Sequence, residues 1–236
     1  MSKKELRLAG SGGQGVILAS VILAEAAVIA GKYTTQSQSY GPEARGGACK
    51  AETLISDSPI GFTKVQDPDF LLALTQKALD KYDKNLKDSC VVMIDDSLET
   101  PEDIPLERVI RLPILKTARE EVGRLQTANV VAVGCINELL KIVSRESIEE
   151  AVEMHVPKGT EALNKKALEA GENLMAGYLA GGKKKTEKQP ESSGSEKASD
   201  HDLKSKAAEE TGNGSEGSEK DHPLPGVTAK PGKVLA

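Results

Sequence analysis

The sequence lacks long apolar runs, clustered cysteines and an excess of basic charge. Its longest apolar stretch, Val16 to Ala30, is interrupted by Ser20 and Glu25, whereas a membrane span needs roughly 18 to 20 apolar residues in a row. No membrane association is expected. The N-terminus does not read as a secretory signal either, since the basic start Met1 to Arg7 runs into a glycine loop instead of an apolar stretch. A cytoplasmic protein is the expectation. The three cysteines, Cys49, Cys90 and Cys135, stand far apart with no C-x-x-C between them. Neither a disulfide framework nor a four-cysteine cluster site can be assembled from them, and each reads as a small buried apolar residue. A formal net charge of -5 argues against a nucleic-acid footprint. Aromatic residues make up only 3% of the chain, and His155 is the only histidine before residue 181. One histidine and scattered cysteines supply no nucleophile–base pair. His155 reads as a helix-end or surface residue, and Met154 and Met175 as packing residues.

What the chain does contain is unevenly distributed. From residue 181 to 236 it turns polar, with ten lysines against ten acids and no aromatic residue. Such a segment cannot bury enough apolar surface to offset a conformational entropy cost of about 1–2 kcal/mol per residue. It is expected to be a disordered tail behind a single domain spanning residues 1–180.

Within residues 1–180, strands are predicted at Glu5 to Ala9, Tyr33 to Gln36, Cys49 to Ile55, Phe70 to Thr75, Cys90 to Ile94 and Arg108 to Leu112. Helices are predicted at Val16 to Ala30, Gln76 to Asn85, Thr117 to Val122, Thr127 to Val143, Ile148 to Glu153 and Thr160 to Leu179. The alternation argues for a layered α/β sheet, with antiparallel pairing where Tyr33 to Ile55 has no intervening helix. The first helix carries alanine and leucine all round and should be buried, with Gly31 ending it.

Two loops stand out. Gly10, Gly12 and Gly15 fit G-x-G-x-x-G between a strand and a helix, where glycines let an anion approach the free amides at a helix N-terminus. Gly13 and Gln14 complete the loop. A dinucleotide site would need an acid about 20 residues on to hold the ribose, and the stretch KYTTQSQS offers none. A phosphate or other anion site and a tight turn without ligand both remain open. The second loop, Tyr40-Gly41-Pro42-Glu43-Ala44-Arg45-Gly46-Gly47, combines a stiff entry at Pro42 with adjacent glycines and opposite charges two positions apart. Arg45 suits a carboxylate or phosphate, which a guanidinium binds through two parallel hydrogen bonds. Tyr40 either stacks on a ligand ring or packs in the core. Asp95 and Asp96 follow a predicted strand and read as a strand-end cap.

GSGGQG opening a helix, then TQSQSYGPEARGG, then the helix stretch Ala128-Asn129-Val130-Val131-Ala132-Val133-Gly134, together resemble the gamma subunit of the 2-oxoacid:ferredoxin oxidoreductases, with the 2-oxoglutarate type most similar. The resemblance implies a three-layer α/β/α domain with a mixed, mostly parallel sheet. It also implies a subunit that is inactive alone, within a complex that oxidatively decarboxylates a 2-oxoacid, transfers the acyl group to coenzyme A and reduces ferredoxin. Thiamine diphosphate, magnesium and iron–sulfur clusters would sit on alpha, beta and delta partner subunits, with none bound by this chain alone. The sequence has no thiamine-type G-D-G motif with a downstream Asn for magnesium. Coenzyme A would meet this chain at Gly10, Gly12, Gly13, Gln14, Gly15, Tyr40, Gly41, Glu43, Arg45, Gly46 and Gly47, none of them catalytic. A stand-alone nucleotide-binding module and a purely structural interaction subunit are the alternatives.

Overall fold

The computed structural model describes residues 3–39, 47–84 and 86–181. The tail expectation for residues 182–236 lies outside the described residues. Six strands, β1 (Lys4–Ser11), β2 (Tyr33–Ser39), β3 (Ala48–Ser56), β4 (Phe70–Ala73), β5 (Val91–Asp95) and β6 (Val109–Leu112), form one sheet in the order β2-β3-β1-β4-β5-β6. The β1–β4, β4–β5 and β5–β6 pairs are parallel, while β3 runs antiparallel to both β1 and β2. The antiparallel edge arises because only the loop after Ser39 joins β2 to β3, and parallel neighbours would require a crossover of a dozen or more residues.

The helices are α1 (Val16–Ile29), α2 (Gln76–Tyr82), α3 (Ile114–Thr117), α4 (Ala128–Leu140), α5 (Arg145–His155) and α6 (Glu161–Ala180). Successive strand residues point to opposite faces, so Leu6, Leu8, Phe70, Leu72 and Met93 pack beneath α1, α4, α5 and α6. On the other face Ala9, Leu71, Ala73, Val92 and Ile94 pack with α2 residues Ala78 and Leu79 and with Leu98 and Ile104. Two clusters on opposite faces of one sheet make the expected three layers.

Helix α1 is buried along one broad face and not all round, because Val28 on its outer side is 53% exposed. Ser20, which breaks its apolar run, is fully buried and shares a 2.7 Å hydrogen bond with Thr53 of β3. Helix α1 ends as expected: Gly31 takes φ +74° and the amides of Gly31 and Lys32 donate to Val28 and Ala27 carbonyls. Helix α3 runs on as a wide π-type turn, Ala118–Val122, that stops at Gly123 with φ +92°. Met175 is fully buried as expected, but Met154 is 60% exposed on α5 and does not pack in the core. His155 is the last residue of α5, 3.6 Å from Glu25 of α1.

Candidate functional site

Strand β1 is followed by α1 on one face of the sheet and its parallel neighbour β4 by α2 on the other. That reversal makes the carboxyl ends of the two strands a topological switch point, the usual place for a ligand in an open α/β sheet. The first glycine loop lies there. Gly13 and Gly15 have φ of +100° and +73°, a backbone region that side-chain-bearing residues rarely adopt. Gly10 is required for a different reason: a Cβ there would lie 2.7 Å from Gln14 Oε1 and 2.8 Å from Val16 Cγ1.

The tertiary structure gives Gln14 a specific part in the loop. Its Oε1 accepts from the Ser11 amide at 2.8 Å, and its Nε2 donates to the Leu74 carbonyl just beyond β4 at 3.2 Å. One amide side chain thus closes its own loop and ties it to the end of β4. Asn129, at the start of α4 and 4% exposed, holds the loop from behind by donating to the Gly15 carbonyl at 3.3 Å. Gly12 and Gly13 remain exposed. The first-turn amides of α1 have no intrahelical acceptor, so the loop presents donors and the positive end of a helix dipole.

The second loop is rooted beside the first. The Gly12 amide donates to the Gly47 carbonyl at 3.3 Å, and Cys49 Sγ donates to the Gly10 carbonyl at 3.5 Å. The structure therefore brings together Gly10, Gly12, Gly13, Gln14, Gly15 and Gly47. The remaining sequence-derived positions, Tyr40, Gly41, Glu43, Arg45 and Gly46, lie outside the described residues, between the end of β2 and Gly47. Asn129 was missed as a site residue, although an amide among the apolar residues of ANVVAVG is a signal that something specific receives it.

A dinucleotide reading does not survive the topology. The ribose-holding acid would stand at the carboxyl end of a parallel strand beside β1, but the strand after α1 is β2, an edge strand antiparallel to β3 and separated from β1 by it. Asp95 is a cap as expected. It is 1% exposed, accepts from the Ser97 amide and hydroxyl through Oδ1, and accepts from the Leu115 amide at the start of α3 through Oδ2 at 2.8 Å.

Among the described residues no three His, Cys, Asp or Glu side chains come together to hold an ion. Cluster and metal ligation need the thiolate. Burial pushes the Cys135 thiol up to about 12 and the Cys90 thiol up to about 11, and raises Cys49 as well. Iodoacetamide at pH 8 is therefore expected to leave all three thiols of the native chain largely unmodified over the time that labels them fully in urea. Intact-mass spectrometry reads the outcome, and rapid labelling of the native protein would show a thiol more accessible than this fold allows. Among the described residues no helix is long and apolar enough to cross a membrane.

Residues 5–174 match the family model described as pyruvate ferredoxin/flavodoxin oxidoreductase. The 2-oxoglutarate synthase subunit KorC of Methanocaldococcus jannaschii is 47% identical over 172 residues, covering 72% of this chain and 92% of that protein. The keto/oxoacid ferredoxin oxidoreductase gamma subunit of Geobacter sulfurreducens superposes with a TM-score of 0.66 at 43% identity, over 75% of this chain and 98% of that one. A 2-oxoglutarate:ferredoxin oxidoreductase from Magnetococcus marinus, solved with 2-oxoglutarate, coenzyme A and succinyl-CoA bound, shares the fold at 23% identity and a TM-score of 0.66, over 75% of this chain and 31% of that one. With its full glycine loop, its mixed six-stranded sheet and this sequence identity, the chain belongs to the pyruvate ferredoxin/flavodoxin oxidoreductase family, as a subunit of the gamma type.

Proposed function

We propose that this chain is the gamma subunit of a 2-oxoglutarate:ferredoxin oxidoreductase, in which it forms the coenzyme A side of the active site and part of the subunit interface. The domain that does so spans residues 1–180. The observation that carries the reading is the Gly12–Gly47 contact, which joins both glycine loops into one donor-rich surface at the switch point. Its identity with a 2-oxoglutarate synthase subunit favours 2-oxoglutarate as the 2-oxoacid. Thiamine diphosphate, magnesium and iron–sulfur clusters belong, on this reading, to alpha, beta and delta partners. They supply the decarboxylation and electron transfer, and ferredoxin receives the electrons through the complex.

This chain's part is binding and orientation. The Gly13 amide and the first-turn amides of α1 donate to an anionic oxygen, while the Gly12 amide, bonded to the Gly47 carbonyl, joins Gly10, Gln14 and Gly15 in fixing the shape of that donor set. Arg45 contributes a charge that stays protonated at any working pH, flanked by Tyr40, Gly41, Glu43 and Gly46. It acts as an electrostatic anchor and transfers no proton. Holding the phosphates fixes where the thiol end of the ligand can reach, which lowers the barrier by positioning.

The test is reconstitution. The isolated chain should show no activity, and mixing it with its partners should restore 2-oxoglutarate-dependent viologen reduction. A hydrogen bond to a charged group contributes about 1.5–3 kcal/mol, so Arg45→Ala should raise the KM for coenzyme A by more than tenfold while leaving the KM for 2-oxoglutarate unchanged. Normal assembly with an unchanged KM for coenzyme A would overturn the anchor role. Loss of assembly would instead make the loop an interface element.

A further inference from the structure

On the α2 face of the sheet, beside the glycine loop, positive charge gathers without enough negative charge to balance it. Arg7 of β1 and Glu52 of β3 are cross-strand partners, and Arg7 Nε donates to Glu52 Oε1 at 2.8 Å. Lys50 Nζ donates to the same oxygen at 2.7 Å. The side chains of Arg7, Glu52 and Lys50 are only 11%, 10% and 25% exposed, so this is a largely buried group of two cations and one carboxylate. Removing a net charge from water is costly unless an opposite charge joins it.

Neighbouring groups add to the excess. Tyr82 of α2 donates its hydroxyl to the Ala48 carbonyl at 3.5 Å, and its ring has Lys50 Nζ at 5.8 Å and Lys81 Nζ at 5.3 Å from its centroid. Lys81 has no carboxylate partner among the described residues. The two terminal nitrogens of the Arg7 guanidinium likewise have no acceptor among them. Ser37 and Ser39 of β2 stand opposite Glu52 and Lys50, and directly paired residues share a face. Arg7 and Lys50 are thus linked through one oxygen of Glu52, and Lys50 and Lys81 lie against the same Tyr82 ring, with Glu52 the one carboxylate bonded within the group.

The placement relates this group to the loops. Lys50 pairs with Ala9, the residue before Gly10, so it stands about 7 Å along β1 from the loop at Ser11. Tyr82 is bonded to Ala48, next to Gly47. We propose that Arg7, Lys50 and Lys81 form a second anion subsite, which takes a phosphate monoester carried by the same ligand that the glycine loops hold. Resting on the coenzyme A reading, that group is the 3′-phosphate of the adenosine end. The chemistry is shared with free phosphate: a dianion with several acceptor oxygens accepts from Arg7 and Lys50 and offsets the excess charge.

Two arms test it. Inorganic phosphate titrated into the full chain should shift the Arg7 side-chain Nε–H resonance. In Lys50→Gln, where the Arg7–Glu52 pair remains to keep the fold, that response should weaken at least tenfold. No response in the wild type would overturn the subsite. In the reconstituted complex, the wild type should bind coenzyme A at least tenfold more tightly than dephospho-coenzyme A, and Lys50→Gln with Lys81→Gln should abolish the preference while leaving dephospho-coenzyme A binding unchanged. Equal wild-type affinity for the two ligands, with the phosphate response present, would assign the subsite to free phosphate and overturn the 3′-phosphate. A phosphate response with no binding of either nucleotide would overturn the coenzyme A reading and leave the anion subsite standing.

Discussion

Gly171→Ala is expected to destabilise the chain by about 3 kcal/mol, at the upper end of what an overpacked interior usually costs. Helices α4 and α6 cross so closely that a Cβ on Gly171 would lie 2.0 Å from the Val131 carbonyl oxygen, and a Cβ on Gly134 would lie 2.3 Å from the Leu168 carbonyl oxygen. These are backbone atoms, which cannot turn aside as the end of a flexible side chain can. The helices would have to separate, loosening contacts among Val131, Cys135, Leu168 and Met175, which are buried in the same cluster. Alanine's better helix propensity returns only about 1 kcal/mol, so the steric effect wins. Gly177→Ala in the same helix supplies the control. A Cβ there meets nothing within 4 Å, so the variant should be as stable as the wild type or gain about 0.5–1 kcal/mol. Urea titrations followed by circular dichroism compare the two, and equal midpoints would remove the close crossing. The effect should reach the site, because α4 carries Asn129.

The second large effect is expected at Gly15. An alanine at φ +73° costs about 1–2 kcal/mol in backbone strain. Its Cβ would also stand 2.6 Å from Asn129 Nδ2, pushing that amide off the Gly15 carbonyl, a hydrogen bond contributing about 1 kcal/mol. The two causes can be separated by a double-mutant cycle. In an Asn129→Ala background the amide clash and the hydrogen bond are gone and only the 3.3 Å approach to the Asn129 Cβ remains, so Gly15→Ala should cost about 1 kcal/mol less there than in the wild type while the strain persists. Additive effects would show that Asn129 does not clamp the loop. In the reconstituted complex, Gly15→Ala should also raise the KM for coenzyme A, because it displaces the α1 amides that the loop presents.

Much of the local structure was legible in the chain itself. Each of the six predicted strands and six helical stretches corresponds to a segment found, with ends shifted by a few residues. Apolar spacing, Gly31 at the end of α1 and the glycine loop opening it are local signals, and local signals survive folding when the tertiary structure agrees with them. Hidden from that reading were the things that require distant segments to meet. The insertion of β3 between β2 and β1 cannot be read from composition, since pairing depends on contacts far apart in sequence. The partner of Gln14, the Leu74 carbonyl, comes from 60 residues further along the chain. Asn129 is 114 residues from the carbonyl it holds. Met154 was expected to pack, but position on a helix, and not residue type alone, decides which side chains face the core.

The sequence by itself determined the alternation of strands and helices, the two glycine loops and the family resemblance, because each rests on residue type and spacing over short stretches. The tertiary structure alone decided that β1 and β4 meet at a switch point with their helices on opposite faces, that Gly12 and Gly47 join the two loops there, and that Arg7 and Lys50 meet on one oxygen of Glu52. Those placements come from burying apolar faces on both sides of one sheet, a free energy that is gained only when the whole chain is assembled.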